Sequence, residues 1–400
     1  MKIAVLAYIY PSIKRIYITS LCEMLENLGH EIKGFSFFNR DYDTHDPSQK
    51  DEDQKKQKFE NKYFIIEEKI LNFSPIFLKD ALNYFLNLLK EQKNKYSLSR
   101  NLRQIRHTLK NEKFDFSIGI EKGGIICAYE LYKISKVPFF YFSLELYDEN
   151  HNILNRPTMQ KTMRKMEIIA LKKAAGTIIA DEDRKNSLYK TGNIDTSKPA
   201  FYLPVSFNEN SIEYVFSHRK PTVSNKKIIL NFGNNRIPDD FFIALLKELP
   251  DSFVFLMHNL DTKYHEEISQ NFSVDKMQFS NKPMNEKEIM NLINDSFIGL
   301  SWYEDDHINA ILVAFSSEKT ARYLAAGKPI IANAKTNFPQ LFSSIKCGIA
   351  VNTPDEFIDA LQTISQNYQE YCTNARKAFD QIYKLSNYEQ SLNAFLIKNL

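Results

Sequence analysis

Apolar and polar positions follow a strand, helix, strand order that recurs in both halves of the chain. Continuous apolar runs predict buried strands at 3–8, 30–38, 114–120, 137–143 and 176–180 in the first half. Further apolar runs follow at 227–232, 253–257, 277–279, 297–302, 330–332 and 348–351. Helical periodicity lies between the runs, as over residues 16–28. This alternation indicates βαβ units, so the sequence predicts an α/β protein with two open parallel sheets.

The length of the chain indicates how these units are divided. Its 400 residues exceed what one hydrophobic core usually fills. The periodicity is lost between 208 and 225, which contains Pro221 and is typical of a linker. We therefore predict a first domain over 1–207 and a second domain that begins at residue 208.

Charge and cysteine content narrow the class of protein. The 52 basic residues nearly balance the 49 acidic ones, which argues against a dedicated nucleic-acid binder. Four widely spaced cysteines show no C-x-x-C pair, so we expect no zinc site, no disulfide framework and a reducing cytoplasm. Residues 1–7 are expected to form a strand and not a signal peptide, and no apolar run reaches the roughly 18 residues of a membrane span.

Glycine-rich phosphate loops are missing from the expected places. The loop at 8–12 contains no glycine, and neither G-x-G-x-x-G nor G-x-x-x-x-G-K-[ST] occurs. Dehydrogenases and P-loop kinases are therefore disfavoured.

Residues 90–113 form a basic segment with eight Lys or Arg residues against two Glu residues. Its apolar neighbours are Tyr96, Leu98, Leu102 and Ile105. The segment suits contact with an anionic membrane or a lipid-linked acceptor. The alternative is an ordinary solvated helix face.

Candidate binding residues follow three of the predicted strands. Glu121 and Glu145 come after the runs at 114–120 and 137–143, and the carboxyl ends of parallel strands are where ligands bind. Each has a structural alternative, as a helix N-terminal residue or a loop charge. Gly233 and Arg236 follow the run at 227–232, where a glycine permits close approach and an Arg suits a phosphate.

The stretch from Ser316 to Ala332 predicts a capped helix followed by a turn and a buried strand. Ser316 or Ser317 can cap the helix, Glu318 complements its positive end, and Gly327 ends it. Lys319 in the first turn makes this helix start suitable for a phosphate or diphosphate. Most capped helices bind nothing, so the fit alone is only permissive.

Several of these motifs together resemble a GT-B glycosyltransferase. The donor-binding half of that fold is matched by Gly233 after its strand, by residues 281–289, 298–302 and 347–357, and most specifically by Lys319-Thr320-Ala321-Arg322-Tyr323-Leu324-Ala325-Ala326-Gly327-Lys328-Pro329-Ile330-Ile331. Residues 115–124, 141–147, Glu167 and 178–184 are similar to the acceptor half of bacterial retaining members.

The resemblance implies two Rossmann-like domains that face a central cleft, with the donor domain over 208–379 and a crossover helix over 380–400 returning to the first domain. It implies a nucleotide-sugar donor, most simply a UDP-sugar, and no metal, since none of the Asp-x-Asp triplets in the sequence suggests a metal bridge. The donor-binding residues would be Gly233, Arg236, Pro283, Met284, Ser316, Ser317, Glu318, Lys319 and Thr320.

Three positions depart from the family pattern. Many retaining relatives carry two Glu residues where this chain has Ala314 and Arg322, and Glu318 is the nearby carboxylate that can substitute on the ribose. The alternative is a Glu318–Arg322 i,i+4 ion pair. Leu144 stands where relatives often have His. The Lys319 run instead resembles a subset of bacterial UDP-sugar transferases, which includes galactofuranosyl- and glucosyltransferase-like enzymes.

The expected activity is transfer of a sugar to a cell-envelope glycan or lipid-linked acceptor, with retention and at the cytoplasmic face of the membrane. Glu121 and Glu145 would be the catalytic-site carboxylates that position the acceptor. Two alternatives stay open: a non-catalytic GT-B subunit that binds a partner or carbohydrate, and a nucleotide-sugar epimerase of the same fold.

Overall fold

A computed structural model describes residues 1–7, 16–36, 64–66, 102–103, 105–146, 157–208, 226–233, 237–258, 276–303 and 307–400. Arg236, nearly all of the predicted linker and the first part of the basic segment lie outside these ranges. Residue contacts group the chain into two compact units, 1–203 with 388–400 and 204–387. The sequence-based boundaries stood at 207/208 and 379/380; residues 204–207 and 380–387 group here with the second unit.

The first unit contains a parallel sheet of seven strands in the order β3-β2-β1-β4-β5-β6-β7. Its strands are β1 (Lys2–Ala7), β2 (Glu31–Ser36), β3 (Phe64–Ile66), β4 (Phe116–Ile120), β5 (Phe139–Ser143), β6 (Gly176–Ile179) and β7 (Ala200–Tyr202). The apolar runs predicted β1, β2, β4, β5 and β6. Because β3 and β7 each have only three residues, they leave too short a pattern to read.

The second unit contains a parallel sheet of six strands in the order β10-β9-β8-β11-β12-β13. Its strands are β8 (Lys227–Phe232), β9 (Phe253–His258), β10 (Met277–Ser280), β11 (Ile298–Ser301), β12 (Ile330–Asn333) and β13 (Gly348–Val351). All six were predicted from apolar runs. The two open parallel sheets with helices confirm the predicted α/β class.

Helices connect the strands in both units. They are α1 (Ile16–Asn27), α2 (Glu121–Ser135), α3 (Pro157–Lys173), α4 (Glu182–Gly192), α5 (Asp239–Glu248), α6 (Glu286–Asp295), α7 (Ile308–Ile311), α8 (Glu318–Ala325), α9 (Phe338–Ser344), α10 (Pro354–Gln366), α11 (Tyr368–Ala378) and α12 (Glu389–Lys398). Short 3₁₀ turns lie at Ala314–Ser316 and Leu385–Asn387, and a π-helical turn lies at Phe379–Tyr383.

Close backbone packing fixes the start of α2 in the first unit. Helix α2 follows β4 without a loop, and a Cβ on Gly124 would fall 2.2 Å from the carbonyl oxygen of Leu6 in β1. A Cβ on Gly119 would fall 2.5 Å from Cα of Ile125. Only glycine permits such approaches, so this pair of glycines holds Glu121 beside the carboxyl ends of β1 and β4.

The C-terminal helix α12 packs on the sheet of the first unit. Ring centroids of Phe395 and its neighbours Phe140 and Phe201 are 5.8 and 5.5 Å apart. The Asn393 side chain lies 3.0 Å from Nε2 of His30. These aromatic and polar contacts explain why the last residues group with the first unit.

The described part of the basic segment places its apolar residues in the core. Leu102 and Ile105 are buried, and the guanidinium of Arg106 pairs with the buried carboxylate of Glu130 at 2.9 Å. Both apolar side chains are therefore used in packing and are not exposed for contact with a membrane. Among the described residues, no helix combines the length and apolar character needed to cross a bilayer.

Candidate functional site

The start of α8 in the second unit is capped by one of the two predicted serines. Oγ of Ser317 accepts the backbone N–H of Thr320 at 3.3 Å. The Ser316 hydroxyl instead donates to the carbonyl oxygens of Leu312 and Val313 in the preceding turn, at 3.2 and 3.4 Å. Ser317 is therefore the cap, and Ser316 belongs to the turn before it.

Lys319 in the first turn of α8 is a buried cation with an unusual environment. Its side chain is 8% exposed, and its Nζ has no hydrogen-bond partner among the residues that the structure describes. Nζ lies 4.4 Å from the centroid of the Tyr303 ring. Burial lowers the pKa of Lys319 from 10.5 to about 7. A buried ammonium without an acceptor is suited to receive an anion.

The loop after β11 is fastened to α8 and to β12. The Tyr303 hydroxyl lies 2.7 Å from Oγ of Ser317, and the Thr320 hydroxyl lies 3.4 Å from that of Ser301. The backbone N–H of Tyr303 donates to the Asn333 side chain at 3.2 Å, and the Tyr303 carbonyl accepts from the same amide. These bonds hold the loop and the helix cap in one arrangement.

Helix α8 is also tied to the end of β8. The Tyr323 hydroxyl donates to the carbonyl oxygen of Leu230 at 2.8 Å and accepts the N–H of Phe232 at 3.2 Å. Gly233 follows directly with φ of 108°, and no atom of the described residues lies within 4 Å of the position that its Cβ would take. The structure thus connects Gly233 to α8, whereas Arg236 lies outside the described residues.

Arg322 binds the carboxylates of two helices. Its Nη2 lies 2.6 Å from Oε1 of Glu318 and 2.7 Å from Oε2 of Glu286 at the start of α6. The guanidinium carbon lies 5.6 Å from the centroid of the Phe207 ring. The i,i+4 ion pair that the sequence left as an alternative is present, so one oxygen of Glu318 is already occupied.

Pro283 and Met284 lie in the segment that leads into α6. Pro283 is exposed and Met284 is half-buried. Asn285 caps α6 by accepting the N–H of Glu288 at 3.0 Å. Because the next residue, Glu286, pairs with Arg322, this segment is joined to α8 through that ion pair.

The two predicted carboxylates of the first unit are neighbours. Oε1 of Glu121 accepts the backbone N–H groups of Leu144 and Glu145 at 2.6 and 2.8 Å. Glu121 has φ of 61°, an uncommon value for a residue other than glycine. Burial, together with the charge of Glu145, raises the pKa of Glu121 from 4.5 to about 7. Glu121 therefore fixes the backbone from which the half-buried Glu145 side chain projects.

Sequence reasoning missed the buried polar residues that surround this pair. Arg184 is buried and donates to the carbonyl oxygen of Leu144. Glu167 accepts from the Tyr141 hydroxyl at 2.6 Å and from Arg164 at 2.9 Å. These residues are far apart in the chain, and their only sequence signal was that Glu167 and Arg184 lie in stretches similar to the acceptor half of the family.

In the part of the chain that the structure describes, no group of three or more His, Cys, Asp or Glu residues is placed to hold a metal ion.

Comparisons with known proteins match both a part of the chain and the whole fold. Residues 256–393 match the family model of the glucosyltransferase 3-like C-terminal domain. A sequence search of curated proteins finds no match.

Three solved structures illustrate the similarity of fold. The Anabaena protein HepE, solved in complex with UDP, has a TM-score of 0.64, 12% identity and full coverage of both chains. Sucrose-phosphate synthase from Thermosynechococcus elongatus has a TM-score of 0.65 and 12% identity, with 100% of this chain and 98% of that chain covered. WaaG, a glycosyltransferase of lipopolysaccharide biosynthesis, has a TM-score of 0.59 and 12% identity, with 99% of each chain covered.

The two open parallel sheets have the fold of these GT-B glycosyltransferase structures, so the predicted fold and the predicted resemblance are both confirmed. More particularly, residues 256–393, which match the glucosyltransferase 3-like C-terminal domain, include the whole of α8 with Lys319.

Proposed function

We propose that this protein transfers a sugar from a UDP-sugar to a glycan or lipid-linked acceptor of the cell envelope, with retention and without a metal. One observation carries the proposal: at the capped start of α8 stands a buried Lys319 ammonium that has no acceptor among the residues that the structure describes. HepE, with the same fold, has been solved with UDP and with UDP-glucose. A diphosphate is the anion that such a donor brings.

The donor diphosphate would bind at the start of α8 and beside Gly233. The first N–H groups of a helix lack partners within the helix, and the positive helix end attracts anions. Lys319 adds a full charge in a buried place, where Coulomb interactions are stronger than in water. When the bond between the sugar and the diphosphate breaks, its electron pair passes to a phosphate oxygen, and these groups stabilise the new charge.

On the acceptor side, Glu145 would hold the attacking hydroxyl and Glu121 would hold Glu145 in place. The Glu121 carboxylate is engaged by two backbone N–H groups, whereas the Glu145 side chain is half-buried. With retention, the acceptor oxygen forms its bond on the face that the diphosphate leaves. The departing phosphate oxygen then takes the acceptor proton, so no separate base is required.

The envelope acceptor and membrane proximity are inferred from surface charge. Lys161, Lys165, Lys172 and Lys173 on α3 are exposed, as are Arg103 and Lys110 of the basic segment. Each exposed cation of this kind contributes about 1 kcal/mol to the free energy of binding to an anionic membrane. Arg106 is unsuitable for a charge-reversal test, because it pairs with buried Glu130.

The test of the membrane proposal is sedimentation with vesicles that contain phosphatidylglycerol. Combined Arg103→Glu, Lys172→Glu and Lys173→Glu changes should reduce binding several-fold, and added salt should reduce it further. Equal binding by the wild type and this variant would contradict membrane contact.

Calorimetry with UDP, followed by mass spectrometry of a UDP-sugar panel with candidate acceptors, tests the enzyme proposal. The wild type should bind UDP, and Lys319→Ala should weaken binding at least tenfold. Lys346→Ala is the matched control, since Lys346 is exposed and pairs with Glu370. An absence of UDP binding in the wild type would contradict the proposal.

The two alternatives give different products. UDP binding without transfer to any acceptor would indicate a binding subunit. An altered sugar nucleotide formed without an acceptor would indicate an epimerase.

A further inference from the structure

We infer that Tyr303 is a positioning residue of the proposed diphosphate site, because one side chain holds both the Lys319 ammonium and the Ser317 helix cap. The inference rests on the proposed function and adds a residue that is not part of the helix itself. It is carried by two contacts of Tyr303 at opposite ends of its side chain.

The first contact is between the ring and the ammonium. Nζ of Lys319 lies 4.4 Å from the ring centroid, within the range of a cation–π interaction. No described residue accepts a hydrogen bond from this ammonium, so the aromatic face is the group that orients it. The ring favours the charged form of Lys319, whereas burial disfavours it.

The second contact is between the hydroxyl and the cap. The Tyr303 hydroxyl oxygen lies 2.7 Å from Oγ of Ser317. The same Oγ of Ser317 accepts the backbone N–H of Thr320. A shift of the ring would therefore move the ammonium and disturb the first turn of α8 together. The side chain couples the two groups that would meet the diphosphate.

The base of this side chain is itself held firmly. The side chain of Asn333, at the end of β12, accepts a hydrogen bond from the backbone N–H of Tyr303 and donates one to the Tyr303 carbonyl oxygen. Asn333 is buried and its strand is paired on both sides, with β11 and with β13. The sheet thus sets the position of the ring, and the ring sets the position of Lys319.

None of the other charged groups that the structure describes around α8 hydrogen-bonds to the Lys319 ammonium. Elements packed against α8 carry Glu286 on α6, Arg376 on α11, and Asp380 and Tyr383 in the turn after α11. On α8 itself, Glu318 and Arg322 pair with each other. The lowered pKa of Lys319 has burial as its cause, with no contribution from these groups.

The experiment measures the affinity for UDP between pH 6 and 9 in the wild type, Tyr303→Phe and Tyr303→Leu. Tyr303→Phe keeps the ring, so it should keep the wild-type pH midpoint. Because it lacks the hydroxyl that contacts Ser317, it should bind UDP roughly threefold more weakly. Tyr303→Leu removes the ring, so it should lose roughly tenfold or more and shift the midpoint to lower pH.

A graded series protects the test against misfolding of the leucine variant. Replacing Tyr303 by phenylalanine and then by its mono-, di- and trifluoro derivatives keeps the ring shape while weakening its negative face. Affinity for UDP should fall with each added fluorine. Equal affinities across the series, with binding still lost in Lys319→Ala, would overturn the role of Tyr303 and leave the proposed function standing. A wild type that does not bind UDP would overturn both.

Discussion

The Glu121 carboxylate accepts the backbone N–H of Glu145 at 2.8 Å, so one candidate acceptor-side carboxylate holds the backbone of the other. The same oxygen accepts the N–H of Leu144. Leu144, at the position where the family resemblance implied a histidine, contributes a backbone donor. The division of tasks follows: Glu121 shapes the loop after β5, and Glu145 presents a side chain.

Glu121→Gln should make the stability of the protein less dependent on pH. The folded state raises the pKa of Glu121 to about 7, so it holds a proton that the unfolded chain releases above about 4.5. The wild type therefore loses stability as pH rises from 4.5 through 7. Glutamine still accepts both N–H groups, so the variant should be more stable than the wild type at pH 8, by on the order of 1–3 kcal/mol.

Urea unfolding at pH 5 and pH 8, followed by circular dichroism, checks this difference. Glu145→Gln is the matched control, because the charge of Glu145 contributes to the raised pKa of Glu121 and its loss should reduce the effect. A Glu121→Gln variant that differs from the wild type equally at both pH values would contradict the assignment.

UDP affinity should rise as pH falls from 9 to 7. Lys319 has a pKa of about 7 in the unliganded protein, and a bound diphosphate favours its charged form. Binding in this range therefore takes up a proton, and affinity changes by up to about tenfold per pH unit. The terminal phosphate of UDP is fully ionised over most of this range, so it adds little to the slope.

Two variants of Lys319 separate charge from shape in this prediction. Lys319→Arg stays charged and should bind with little pH dependence, while Lys319→Ala should bind weakly at every pH. Calorimetry in buffers of different ionisation enthalpy counts the protons taken up. A pH profile of Lys319→Ala parallel to that of the wild type would contradict the assignment.

Gly299→Ala should destabilise the second unit. Its Cβ would fall 2.3 Å from the Tyr323 ring, whose hydroxyl bonds to β8. Overpacking of this kind costs typically about 1–3 kcal/mol. Trp302, the single tryptophan, is buried in this unit, so its fluorescence during urea unfolding reports the loss.

Gly29→Ala provides the comparison for this clash. Gly29 has φ of 83°, and no atom of the described residues lies within 4 Å of the place that an added Cβ would occupy. The alanine should therefore cost about 1–2 kcal/mol through backbone strain, without a clash. It lies in the first unit and should leave the Trp302 transition unchanged. An unchanged Trp302 transition in Gly299→Ala would show that Tyr323 can move aside.

Phe395→Ala should destabilise the first unit by about 2 kcal/mol, because Phe395 packs on Phe140 and Phe201 and is only half-buried. Ile397→Ala on the same helix should change stability by less than about 0.5 kcal/mol, since Ile397 is 52% exposed. Circular dichroism during urea unfolding measures both. Equal effects of the two changes would show that α12 contributes little through the Phe395 contacts.

The sequence alone determined the strands with long apolar runs, the α/β class and the position of α8. Hydrophobic periodicity and capping are local properties, and each leaves its pattern within a few residues of the chain. The choice between Ser316 and Ser317 was local in appearance but depended on which hydroxyl the preceding turn uses.

Tertiary structure decided what no local pattern contains. It buried Leu102 and Ile105 in the core. It paired Arg322 with Glu286 as well as with Glu318. It also brought the Glu121 carboxylate within hydrogen-bond distance of the backbone N–H of Glu145. It also set Tyr303 against Lys319, a relation that spacing along the chain does not predict. Contacts of this kind depend on the order and register of the strands, which bring distant residues together only when the sheet is complete.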